Sequence, residues 1–139
     1  MKPASHRAVV LASGGLDSTV TAAMAKREGC ELFFLTIAYG QRHAVEIDRA
    51  GQIAAALGIA NHLVMNLDLH AIGGSALTGP AAVPKHRASK EHRQGIPITY
   101  VPGRNLIFLS LAAAHAEVIG ASWIYFGANV VDYSGYPDC

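Results

Sequence analysis

Ser13-Gly14-Gly15-Leu16-Asp17-Ser18-Thr19 is the stretch whose reading decides the fold. It follows an apolar run of strand length, Ala8-Val9-Val10-Leu11-Ala12, and precedes residues 20–28, which read as a helix stopped by Gly29. A strand, a Gly-Gly turn and a helix N-terminus in that order converge backbone N–H groups on one point. The helix dipole adds about half a positive charge there. Gly14 and Gly15 lack side chains that would block an approaching phosphate. Asp17 or Ser18 caps the helix, and Ser13 and Ser18 offer hydroxyls to phosphate oxygens. The stretch reads as a pyrophosphate cradle.

Two familiar phosphate motifs are excluded. The loop has no G-x-x-x-x-G-K-[ST], so it is not the lysine-bearing P-loop, and no G-x-G-x-x-G, so the dinucleotide fingerprint fails. A plain turn with an ordinary cap is the alternative. The serines and aspartate around the glycine pair argue against it.

Composition bounds the rest. With 139 residues and 51% hydrophobic content, one domain spanning 1–139 with its own core is expected. The 11 basic and 10 acidic residues leave a net charge of +1, which argues against a broad nucleic-acid surface. No stretch suits a membrane span, and Met1-Lys2-Pro3-Ala4-Ser5 lacks a signal-peptide core. Two cysteines, Cys30 and Cys139, provide no disulfide framework, and Cys30 reads as a small buried hydrophobe. A cytoplasmic setting is the expectation.

Beyond the first helix, residues 32–38 are apolar on both faces, as an inner parallel strand is. Residues 44–57 carry Ile47, Ala50, Ile53, Ala54 and Leu57 at helical spacing, closed by Gly58, and residues 61–66 read as a third strand. This β-α-β-α-β order predicts an α/β fold with a doubly wound parallel sheet, whose ligands sit at the carboxyl ends of the strands. Tyr39-Gly40-Gln41-Arg42-His43 falls on that same rim. Arg42 suits a phosphate or carboxylate, and His43 a cap or proton shuttle, unless the segment is simply an exposed turn.

Residues 67–98 are the least regular, and the basic run Lys85 to Arg93 is either a lid over phosphates or a solvated loop. His86 and His92 lack companions at metal-ligand spacing, so no metal ligands are assigned. Thr99-Tyr100-Val101-Pro102-Gly103-Arg104-Asn105 leads into a helix over 106–119 that is apolar nearly all round. Such a helix is expected to be buried on several sides, between layers or at a subunit contact. Arg104 and Asn105 stand at its N-terminus, a favourable anion position. Residues 121–128 read as a fourth strand, beside the first and across the switch point. In the tail, Tyr133 and Tyr136 suit stacking on a planar heterocycle, and Asp132 and Asp138 suit the N–H edge of a guanine-like base. Simple turn chemistry is the alternative there.

Ser-Gly-Gly-x-Asp-Ser after a first strand resembles the PP-loop of the ATP pyrophosphatase superfamily, which cleaves ATP between the α and β phosphates. That resemblance implies the adenine nucleotide alpha hydrolase-like, HUP-type Rossmannoid fold. Ser-Gly-Gly-Leu-Asp-Ser-Thr, Tyr-Gly-Gln-Arg-His, Val-Pro-Gly-Arg-Asn and Asp-Tyr-Ser-Gly-Tyr-Pro-Asp-Cys, in this order, resemble the 7-cyano-7-deazaguanine synthase family. The resemblance implies a carbon–nitrogen ligase of queuosine biosynthesis. Its substrates are 7-carboxy-7-deazaguanine, ammonia and ATP, and its products are the 7-cyano base (preQ0), AMP and pyrophosphate. It implies ATP contacts from Ala12 to Val20, with Mg²⁺ beside the departing pyrophosphate. It makes Asp17, Ser18 and Arg104 the catalytic candidates, and Arg42, Asp132, Tyr133 and Tyr136 the substrate contacts. A small-molecule substrate, no nucleic acid, no membrane and a homo-oligomer complete the implied picture. That family continues past Pro-Asp-Cys into a further strand, helices and a zinc-binding cysteine cluster, whereas Cys139 is the last residue here. The sheet is therefore expected to be truncated after the fourth strand, and the family's structural Zn²⁺ has no ligand set in this chain. Another PP-loop enzyme (tRNA-thiolating or amide-forming) and a non-catalytic nucleotide-binding module are the competing readings.

Overall fold

The computed structural model describes residues 6–39, 44–74, 100–128 and 137. Its elements run β1 (Arg7–Leu11), α1 (Leu16–Arg27), β2 (Glu31–Ala38), α2 (Ala44–Ala56), β3 (Asn61–Asn66), α3 (Arg104–Ile119) and β4 (Trp123–Tyr125). The strands form one parallel sheet in the order β3-β2-β1-β4, with Val9 of β1 opposite Phe33 of β2 on one side and Ile124 of β4 on the other. The chain therefore builds outward through β2 and β3, then returns past β1 to lay down β4. The expected switch point falls between β1 and β4.

Alternation along the inner strands sorts the core into two layers. Ala8, Val10, Leu32 and Phe34 face α1 and α2, where Ala22, Ala25, Ala50 and Ala54 meet them. These small residues let the helix backbones approach the sheet closely. Val9, Leu35 and Ile37 face α3 through Ala112 and Ala116. Phe34 and Leu35 are each 1% exposed, one pointing into each layer. Burial of such a side chain stabilises by roughly 1.5–3 kcal/mol. Arg7, at the start of β1, donates from Nη1 to Ile119 O at the end of α3, at 2.8 Å. So α3 runs against the strands, and its N-terminus reaches the carboxyl rim of the sheet.

Several expected boundaries shift. The first helix starts at Leu16 rather than residue 20, because the extended Gly15 takes the N-cap position. The helix expected over 106–119 starts two residues earlier, at Arg104. It is also not buried on several sides. Only Ala112 and Ala116 are fully covered, while Leu106 and Val118 are 69% and 84% exposed. The fourth strand pairs only over Trp123–Tyr125, not over 121–128. Phe126, Gly127 and Ala128 leave the ladder where Gly127 comes against α1. Cys30 is partly buried, packed against the α1–α2 layer as a hydrophobe, with its Sγ 3.9 Å from Tyr125 Oη.

Among the described residues, no helix is long and apolar enough to cross a membrane.

Candidate functional site

The loop after β1 opens at the carboxyl rim, beside the switch point. Its N-cap is Gly15, in extended conformation and without a side-chain cap bond, so neither Asp17 nor Ser18 caps α1. The first intrahelical bond runs from Thr19 N–H to Gly15 O, at 3.2 Å. The amides of Leu16, Asp17 and Ser18 precede it, as the first amides of any α-helix do, and with no partner inside their own helix they have the geometry that suits an anion. The Gly15 amide meets Ser13 Oγ at 3.3 Å, a long contact that a better acceptor can displace.

The two glycines have different reasons to be glycine. Gly14 has φ +77°, and a Cβ on it would lie 2.6 Å from Glu46 O and 2.9 Å from Arg49 Cβ of α2. Its missing side chain admits the first turn of α2, not a phosphate, which corrects the expectation for this residue. A Cβ on Gly15 would meet only Ser13 Oγ, at 3.3 Å. Gly15 therefore has no neighbour but Ser13 Oγ where its side chain would stand.

The hydroxyls also divide. Ser18 is 6% exposed. Its Oγ donates to Gly15 O at 3.1 Å and accepts from Ser13 N–H at 3.3 Å, with Ser13 Oγ 3.1 Å away. Thr19 Oγ1 donates to the same Gly15 oxygen at 2.7 Å. Ser18 and Thr19 thus brace the turn from within, while the Ser13 side chain is exposed. Asp17 is exposed in the first turn of α1, where the helix dipole favours a carboxylate. Leu16 and Val20 lie on the outer face of α1, 78% and 49% exposed. Ala12 is buried at the end of β1.

Arg104 sits at the first turn of α3, on the same rim. Its Nη1 donates to Tyr39 Oη at 2.9 Å, and its guanidinium lies 5.8 Å from the Tyr39 ring centroid. Tyr39 is 8% exposed and packs edge-on against Phe108 at 5.3 Å between centroids. Leu69 and Val101 close this small rim cluster. The aromatic seat fixes the guanidinium at the mouth of the sheet. Arg42, Asp132, Tyr133, Tyr136 and Asp138 lie outside the described residues, as do His43, the 85–93 run and Cys139.

Mg²⁺ uses one or two carboxylates together with substrate phosphates. Asp17 and Ser13, both exposed on the same short loop and helix start, supply a carboxylate and a hydroxyl of the kind that pattern uses. Among the described residues, no group of three or more His, Cys, Asp or Glu side chains could hold a metal alone. A structural Zn²⁺ needs such a set, so the described residues do not fit it.

Two features of the site were not anticipated. Gly127 follows β4, and a Cβ there would come within 2.8 Å of the Asp17 carbonyl carbon and 3.0 Å of its Cβ. Its signal was a lone glycine in an apolar strand pattern, a usual mark of close backbone approach. The other is Thr36. Its Oγ1 donates to Ala12 O at 2.7 Å and meets His62 Nε2 at 2.8 Å. Nothing in the sequence pairs these positions.

Comparison with known proteins gives the family and the fold. The family model described as queuosine biosynthesis protein QueC matches residues 7–139. A 7-cyano-7-deazaguanine synthase of Myxococcus xanthus is 59% identical over 133 residues, covering 96% of this chain and 58% of the relative. One from Syntrophus aciditrophicus is 61% identical over 133 residues, with the same two shares, 96% and 58%. The chain thus spans 58% of the length of these curated relatives. Among solved structures, the NH3-dependent NAD synthetase of Campylobacter jejuni, in complex with nitrate, superimposes with a TM-score of 0.56 at 20% identity, covering 92% of this chain and 49% of that one. A predicted subunit of tRNA methyltransferase from Methanocaldococcus jannaschii gives a TM-score of 0.53 at 21% identity, covering 94% and 56%. At these identities the likeness is one of fold.

Proposed function

The chain belongs to the QueC family of queuosine biosynthesis proteins, and from that premise we propose that it acts as a 7-cyano-7-deazaguanine synthase, with ATP bound at the loop after β1. The reaction joins 7-carboxy-7-deazaguanine and ammonia at the expense of ATP. A carboxylate resists ammonia because its leaving group would be oxide. Attack of the carboxylate oxygen on the α-phosphorus expels pyrophosphate and makes an acyl adenylate. Ammonia displaces AMP to leave the primary amide. A second activation of the amide oxygen lets it depart with AMP as the nitrile forms.

The loop's part is to bind the outgoing pyrophosphate and hold the α-phosphorus in line. Gly15 and the amides of Leu16, Asp17 and Ser18 make the cradle, with Ala12, Gly14, Thr19 and Val20 shaping it. Asp17 and the Ser13 hydroxyl would hold Mg²⁺, which would supply charge neutralisation at the phosphates. Arg104 stabilises charge developing in the transition state, with Arg42 as the second candidate for that role. Asp132, Tyr133 and Tyr136 take the deazapurine. Association of copies of the chain and a cytoplasmic setting belong to the same proposal.

One observation carries this reading: the glycine pair lies at the carboxyl end of β1, beside the switch point, with the first amides of α1 ahead of its first internal bond. The test is incubation with ATP, ammonia and 7-carboxy-7-deazaguanine, followed by mass spectrometry and a nucleotide-binding titration. AMP with the nitrile base is the expected result. Bound ATP without AMP would reduce the chain to a nucleotide-binding module, and no bound ATP would overturn the proposal.

A further inference from the structure

The point where β1 leaves the sheet is held by side chains rather than by the ladder. Paired register between β1 and β2 ends at Leu11 opposite Leu35. One residue on, the Ala12 amide still donates to Leu35 O at 2.9 Å. The Ala12 carbonyl instead takes the Thr36 hydroxyl, at 2.7 Å. Thr36 is 3% exposed, so that hydroxyl must be satisfied inside the protein. Its one hydrogen is committed to Ala12 O. Its oxygen then accepts from His62 Nε2, 2.8 Å away on β3. The imidazole is in turn set edge-on against Phe34, with centroids 5.9 Å apart. A chain of fixed groups therefore runs across three strands and ends on the peptide that begins the phosphate loop.

We propose that Thr36, oriented by His62, is a positioning residue for the phosphate loop: it fixes the Ala12 carbonyl and so sets the direction in which Ser13, Gly14 and Gly15 leave the sheet. With the hydroxyl in place the Ala12–Ser13 peptide has one orientation. Without it, that buried carbonyl loses its partner, and the peptide rotates to find another. Every loop amide downstream turns with it. The inference rests on the proposed ATP-binding role of the loop only for its functional consequence, not for its geometry.

The test uses the whole chain and the variants Thr36→Val, Thr36→Ser, His62→Gln and His62→Leu, with two readouts. Amide resonances of Gly14 and Gly15 report the loop without any ligand. Equilibrium titration with ATP and with inorganic pyrophosphate reports its grip. Thr36→Val is expected to shift both glycine amides and weaken both ligands about tenfold. Thr36→Ser is expected to restore both. His62→Gln, whose amide keeps a donor, should lie near the wild type, and His62→Leu between the two. A purely structural role would lower the melting temperature and leave the folded protein's resonances and affinities unchanged, which overturns the inference. Thr36→Val amides at wild-type positions overturn it as well, whether or not ATP binds. A wild-type chain that binds neither ligand, with the amide shifts as expected, overturns the nucleotide role while upholding the positioning.

Discussion

The Glu46 carbonyl oxygen of α2 occupies the space where Gly14 would carry a side chain, 2.6 Å from the position of its missing Cβ. The loop after β1 is thus seated against the second helix. Gly14→Ala meets both a left-handed backbone and that contact. It is expected to destabilise the fold by about 2–4 kcal/mol, measured by urea unfolding. Gly15→Ala should cost under about 1 kcal/mol, since its backbone is extended and its surroundings open. Its effect should appear in ATP affinity instead. Equal destabilisation by the two changes would contradict the assignment.

Asp17→Ala removes an exposed carboxylate from the start of α1. The loss of a favourable charge at the helix N-terminus is worth about 0.3–1 kcal/mol, too little to unfold the chain. ATP-dependent turnover is expected to disappear while the circular dichroism spectrum stays that of the wild type. Full activity in this variant would count strongly against the loop's role.

Tyr39→Phe keeps the ring against Phe108 but removes the 2.9 Å bond to Arg104. A loss of about 1 kcal/mol in stability is expected. Arg104→Ala should lower AMP formation about 100-fold, the usual scale for removing a group that stabilises transition-state charge. Tyr39→Phe should fall between that variant and the wild type, because it leaves the guanidinium present but less fixed. Single-turnover AMP release checks the order. Turnover in Tyr39→Phe as low as in Arg104→Ala would show the tyrosine to be more than a seat.

Burial holds the His62 imidazole below its ordinary value of 6.5, because charge is disfavoured away from water. Below that value the unfolded chain takes up a proton that the folded chain resists. Stability from this group is complete above pH 6.5 and falls as pH drops through the lowered folded value. Thermal midpoints at about pH 7.5 and 5.5 should therefore differ more for the wild type than for His62→Gln. An equal difference would place the acid sensitivity elsewhere.

The strand–turn–helix around Gly14 and Gly15 was readable because local chemistry decides it. β3 was readable to the residue, since its apolar run is bounded by Gly58 and by the irregular stretch beyond Asn66. The start of α1 was misplaced because Asp17 and Ser18 favour caps in isolation, yet the extended Gly15 supplies the cap position here. The reach of β4 was overestimated because an apolar run does not reveal where its partner strand ends. β1 ends its pairing with β4 at Val10. The Thr36–His62 link joins positions 26 residues apart on different strands, and only the folded register reveals it. Gly14 was assigned to the ligand for a similar reason: the helix that fills its space begins some thirty residues later in the chain.

Gly127 lies against Asp17, just as Gly14 lies against α2. Held by these two close approaches, the turn has little freedom to collapse when empty. If the proposed reaction runs at this loop, the emptied cradle is expected to keep its shape from one turnover to the next, with no recovery step of its own.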